Sequence, residues 1–213
     1  MVREAGPVGL DRERITGAAV RLLDAEGLGR FSMRRLAGEL GVTAMSLYWY
    51  VDTKRDLLGL ALDRVMGELP GVEEPGAGGW DTRLRRLACG YRQMLAAHPW
   101  AARLAADSAE TGPHARAFDT ALLRLLDGAG LTGPTRTGAH LAVSHFLRGS
   151  GATAHRVPEG AFGSALDVLI AGIAGIAGVS GIAGSAGIPG TPAKSRPDRA
   201  DATDPVRPAT ADS

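Results

Sequence analysis

The sequence predicts an all-α fold: an N-terminal helix-turn-helix three-helix domain joined to a C-terminal helical domain. Three observations carry this. Apolar residues recur at i, i+3 and i+4 spacing through most of residues 10–176. Helix start and stop residues bracket these periods. No segment alternates with the period of two that marks a half-buried strand.

The N-terminal elements come in order. Asp11 caps a first helix, with Leu10 and Ile15 as a hydrophobic staple, and Ile15, Ala18, Ala19, Leu22 and Leu23 on one face until Gly27. Ser32 caps a short second helix, Met33 to Leu40, which Gly41 stops as a left-handed residue. Thr43 caps a third, with Val42 and Leu47 as its staple. Thr53, with Asp56 three residues on, caps a fourth that runs to Leu69. Two short helices joined through Leu40-Gly41-Val42-Thr43 have helix-turn-helix geometry, which is also compatible with an ordinary αα-hairpin.

The outer face separates the two. With Leu47 and Val51 inward, Thr43, Ala44, Ser46, Tyr48 and Tyr50 are left outward. Tyr48-Trp49-Tyr50 cannot all enter one small core, and their OH and NH donors suit phosphate oxygens. Arg30, Arg34, Arg35, Lys54 and Arg55 face only Glu39 and Asp52 between residues 30 and 55, a local +3 in a chain of formal charge +1.

Residues 70–79 form a Pro/Gly/Glu linker. Beyond it, Trp80, Leu84, Leu87, Tyr91 and Met94 recur on one helical face. Further helices are expected from Pro99 (Trp100, Leu104), from Pro113 (Phe118, Leu122, Leu125) and from Pro134 to about His155. The helix from Pro134 carries Leu141, Ala142, His145, Phe146 and Gly149. The last helix, from 159 to about 176, holds Phe162, Leu166, Leu169 and Ile173. Glycine stands at every third position from 172 to 187, and Val168 to Ala193 carry no charge. That length could span a bilayer, yet six glycines cost about 6 kcal/mol in a helix relative to alanine. No membrane partner is expected. Residues 178–213 are read as a low-complexity, disordered tail.

Composition sets further bounds. Basic and acidic residues number 24 and 23, so a nucleic-acid surface must be local. The single Cys89 excludes an intrachain disulfide and argues against a thiolate zinc site. The first fourteen residues lack a signal-type apolar stretch, so a cytoplasmic protein is expected. The five histidines show no metal-ligand spacing, and no catalytic triad, carboxylate pair or phosphate loop is present. No enzymatic activity, cofactor or metal is expected.

The stretch FSMRRLAGELGVTAMSLYWYVDTKRDLL, residues 31–58, resembles the DNA-binding domain of the TetR (tetracycline repressor) family. The resemblance covers residues 10–69. It implies base contacts from Arg34, Ala44, Met45 and Ser46, backbone contacts from Tyr48, Trp49, Tyr50 and Lys54, and a DNA-binding position at Thr43. Ala44 departs from the amide side chain often found there, and Ala and Met offer a base only apolar contact. Residues 80–177 resemble the family's ligand-binding and dimerisation domain through HPW (98–100), FDTALLRLLDGAGL (118–131) and HFLRG (145–149). That implies a homodimer built by the last two helices, with Gly149, Ser150, Gly151 and Ala152 close to the mate. It also implies a double-stranded DNA operator and a small-molecule inducer. Candidate ligand-binding residues are Trp100, Leu104, Phe118, His145, Arg148 and Thr153. Tetracycline repressors hold a drug–magnesium chelate through a histidine and a glutamate. Here no histidine follows Trp100 in the corresponding turn, and Thr153 replaces the glutamate. A tetracycline–magnesium inducer is therefore not expected. The resulting expectation is a repressor that binds a palindrome as a homodimer and is released by its inducer. The alternative is an all-α small-molecule-binding protein without DNA function.

Overall fold

The computed structural model describes residues 9–70, 72, 77–107, 112–152 and 158–183. Among them every regular element is a helix: α1 (Arg12–Glu26), α2 (Met33–Leu40), α3 (Ala44–Leu47), α4 (Lys54–Met66), α5 (Trp80–Ala97), α6 (Pro99–Asp107), α7 (Pro113–Gly128), α8 (Gly133–Ala152) and α9 (Glu159–Ala183). Thr153 and residues 184–213 lie outside the described residues.

The expected caps start the first four helices. The side chains of Asp11, Ser32, Thr43 and Thr53 accept from the backbone N–H of Arg14, Arg35, Ser46 and Asp56. Each satisfies one amide that the helix start leaves without a partner. Gly41 adopts φ 68° and ψ 29°, the left-handed turn that lets α2 end and α3 begin three residues later. Ile15, Leu23, Leu36, Leu47 and Leu57 are all but fully buried together, so α1, α2, α3 and α4 share one core.

Three helices differ from their expected lengths. α4 ends at Met66 rather than Leu69, because the chain tightens there into turns in which the Glu68 and Leu69 N–H groups donate to the Val65 and Met66 carbonyls. α3 holds only four residues, and Tyr48 and Tyr50 continue the chain as tight turns, their N–H groups donating to the Met45 and Leu47 carbonyls. α9 runs to Ala183, beyond the expected boundary at 177. Glycine weakens a helix, but unlike proline it keeps both its N–H and its C=O in the ladder, and no proline lies within α9.

In the second domain, α5 buries Leu84, Leu87, Tyr91 and Met94 in the expected register. Tyr91 meets Phe118 of α7 at 5.2 Å between ring centroids, and Phe146 of α8 stacks on Phe162 of α9 at 5.2 Å. α8 turns inward on Val143, Ser144, Leu147, Ser150 and Gly151, leaving Leu141 and His145 outside. His145 stands two residues from both Val143 and Leu147, about 200° round the helix from each. Ser150 and Gly151 therefore face their own chain; only Gly149 of the described small residues is exposed. α9 packs on α8 along one side and leaves Val168 72% exposed. By length and composition Gly160–Gly178 could cross a membrane.

Candidate nucleic-acid interface

The two short helices present one continuous outer face. α2 places Arg34 in solvent, next to buried Met33 and Leu36. α3 has one buried residue, Leu47, so its other side chains are displayed or half-covered. Met45 is 72% exposed, Trp49 47% and Tyr48 42%. Thr43 is exposed, with its hydroxyl 2.9 Å from that of Ser46. Ala44, Ser46 and Tyr50 are half-buried, Ala44 and Tyr50 packing against the core. Tyr50 thus points inward more than the sequence pattern suggests. It is the last residue of the turn leading into buried Val51.

The basic residues differ in their freedom. The exposed Lys54 donates from Nζ to the Phe31 carbonyl at 2.8 Å and lies 5.5 Å from the Phe31 ring centroid. An ammonium has three donors, so this anchor leaves others for an acceptor such as phosphate. Arg35 pairs with Glu26 of α1. Arg12, at the start of α1, holds the Tyr50 carbonyl through Nη2 at 2.9 Å and Nε at 3.2 Å. Sequence reasoning missed Arg12, because a side-chain-to-backbone contact across 38 residues leaves no local pattern. The result is a rigid frame behind an exposed edge of Arg34, Met45, Tyr48 and Trp49: donors for phosphate, and an apolar side chain for a base edge.

The expected ligand-binding residues are spread over three helices. Trp100 is buried on α6, but its Nε1 donates to Asp24 of α1 at 2.6 Å. His98 Nδ1 meets the same carboxylate oxygen at 2.7 Å. The HPW motif therefore ties the second domain to the first. Leu104 on α6 and Arg148 on α8 are half-buried, and Phe118 on α7 is buried against Tyr91. His145, expected as a polar group of the pocket, faces outward instead. None of these five lines the cleft of about 500 Å³ that opens between α1, α4 and the start of α7, and Thr153 lies outside the described residues. Among the described residues no three His, Cys, Asp or Glu side chains cluster as a metal site.

A helix-turn-helix head with a displayed aromatic and basic edge, joined to a helical second domain, defines the class of protein. Comparison gives the family. Residues 15–61 match the family described as "Bacterial regulatory proteins, tetR family", and residues 72–161 match "Tetracyclin repressor-like, C-terminal domain". The chain belongs to the TetR family. It is similar to an HTH-type transcriptional regulator of Saccharopolyspora erythraea, with 40% identity over 66% of this chain and 59% of the relative. It is also similar to the HTH-type transcriptional repressor DrrR1 of Streptomyces coeruleorubidus, with 37% identity over 66% of this chain and 52% of the relative. The chain thus spans little more than half the length of these curated relatives. Among solved structures it resembles ActR of Streptomyces coelicolor in complex with actinorhodin, with a TM-score of 0.72 and 27% identity over 80% of this chain and all of that one.

Proposed function

We propose that this chain is a ligand-responsive DNA-binding transcriptional regulator, a repressor that binds a palindromic operator as a homodimer and leaves it when a small molecule binds. One observation carries the reading: Met45, Tyr48 and Trp49 stay exposed on a basic helix-turn-helix although each has apolar surface to hide. A relative described as a repressor supports the direction of regulation. The exposed Leu141 and Val168 on α8 and α9 supply apolar surface for a helical dimer interface, which is a role for α9 that needs no bilayer. Dimerisation turns one reading edge into two, matched to half-sites about 34–36 Å apart.

The inducer class follows from what the second domain offers. The sequence supplies neither the histidine nor the glutamate of a magnesium-chelate site, and the candidate lining is aromatic and aliphatic. The reading is a metal-independent, mostly apolar organic ligand, and the complex of ActR with actinorhodin supports an organic ligand in a second domain of this architecture. Arg148 is the candidate partner for a carboxylate or carbonyl of that ligand.

Selection from random duplexes tests the DNA reading. The expected product is a symmetric motif, bound less tightly as salt rises. A folded, dimeric protein that enriches no symmetric sequence overturns it. Thermal-shift screening of organic acids with and without magnesium tests the ligand class, and stabilisation by tetracyclines that a chelator abolishes overturns that part.

A further inference from the structure

We propose that Asp63 is the positioning residue that couples the reading head to the second domain, through the start of α7. The proposal rests on the DNA-binding reading above and adds the joint by which the two domains communicate. α7 begins without a cap of its own: Gly112 stands at the N-cap position with no side chain, and Pro113 follows with no N–H. The first amides α7 has to satisfy are those of His114 and Ala115. Both donate to one oxygen, Oδ1 of Asp63, at 3.0 Å each. Asp63 belongs to α4, is only 8% exposed, and sets its carboxylate against the positive end of α7. A Cβ at Gly112 would collide with that carboxylate, so the close approach requires glycine there.

One oxygen thus sets the register between two helices. α4 leads directly out of the reading head: its first residue, Lys54, holds the Phe31 carbonyl at the entry to α2. α7 leads into the second domain, where Phe118, one turn beyond His114, packs on Tyr91. A small shift of α4 along α7 breaks both hydrogen bonds together, which makes the contact two-valued rather than elastic. The neighbouring space allows such a shift. The cleft of about 500 Å³ has Asp63, Gly112 and Ala115 in one wall and Arg12 and Val51 of the head in another. The second tie between the domains joins Asp24, near the far end of α1, to His98 and Trp100, and His98 Nε2 also stands 3.6 Å from Glu68, just beyond α4. A pinned end and a breakable end together describe a pivot.

Linkage supplies a test that needs no inducer: if the joint couples the domains, DNA at the head must change the stability of the α7 start. Hydrogen exchange is followed on the full-length dimer with and without the selected duplex. In the unmodified protein the duplex is expected to slow exchange over residues 44–51, and also at the amides of His114 and Ala115, by about tenfold. In Asp63→Ala the protection at 44–51 remains and the duplex effect at 114 and 115 is lost. Asp63→Asn retains an oxygen for both amides and restores part of the effect, whereas a role limited to helix stability leaves the duplex-dependent ratio the same in all three proteins. That equality overturns the proposal. So does protection at 44–51 with none at 114 and 115 in the unmodified protein, a result that stands whether or not either variant folds. No protection anywhere overturns the DNA-binding reading, and the coupling with it.

Discussion

Replacing Arg12 with alanine separates two ways in which a basic residue near a reading head can matter. Arg12 makes two hydrogen bonds to the Tyr50 carbonyl, at 2.9 and 3.2 Å, and is itself exposed. Such bonds have a net worth of about 0.5–1.5 kcal/mol, and exposure places these near the low end. The free protein therefore loses little stability. Operator binding loses a comparable amount, because the turn at 48–50 that carries Tyr48 and Trp49 is then no longer pinned to α1. The expected loss is about twofold to tenfold in Kd, since 1.4 kcal/mol is a factor of ten. Fluorescence anisotropy on a labelled selected duplex, repeated at four salt concentrations, gives both the affinity and its salt slope. A residue that only positions the turn leaves the slope unchanged. A residue that neutralises a phosphate lowers it by about one. Arg12→Lys offers the Tyr50 carbonyl one donor nitrogen in place of two, and its affinity should fall between those of Arg12→Ala and the parent. The reasoning fails if Arg12→Ala binds as tightly as the parent, or if the whole loss appears in the salt slope.

Three further outcomes follow from the same structure. Leu47→Ala empties the one fully buried position of α3, so the protein should lose about 2–5 kcal/mol by chemical denaturation and bind operator poorly even where it is folded. Lys54→Ala should weaken binding to all duplexes about equally, with a salt slope smaller by about one, as titrations against operator and random DNA will show. Val168→Glu sets a charge on the exposed apolar side of α9, and sedimentation should show a shift from dimer to monomer with helicity retained; an unchanged dimer removes α9 from the interface.

Capping explains why so much of the head was legible in the sequence. Asp11, Ser32, Thr43 and Thr53 act on amides three residues away, and Gly41 acts through its own φ, so a short window holds the whole cause. The inner faces of α1, α4 and α5 are likewise periodic enough to read. The illegible parts are of two kinds. Some contacts join distant residues through single polar atoms: Arg12 to Tyr50, Asp63 to the start of α7, Asp24 to Trp100. Nothing near Asp63 in the chain distinguishes it from a solvated helix carboxylate. The other kind is register where the pattern is weak. α8 is rich in small and polar residues, so two apolar stripes compete. Val143 and Leu147 define the buried one, which turns His145 outward. Trp100 shows the remaining difficulty: its burial was evident from its type, while the Asp24 carboxylate that orients it came from another domain.

The central claim is that two copies of the edge formed by Arg34, Met45, Tyr48 and Trp49 read one palindrome. Hydroxyl-radical footprinting of the dimer on its selected duplex tests it most directly. The account predicts two protected patches, related by the dyad of the motif and one helical turn apart, both lost when Met45 and Trp49 are replaced by alanine in a protein that still dimerises. A single asymmetric patch, uniform protection along the duplex, or two patches that survive the double substitution would contradict it.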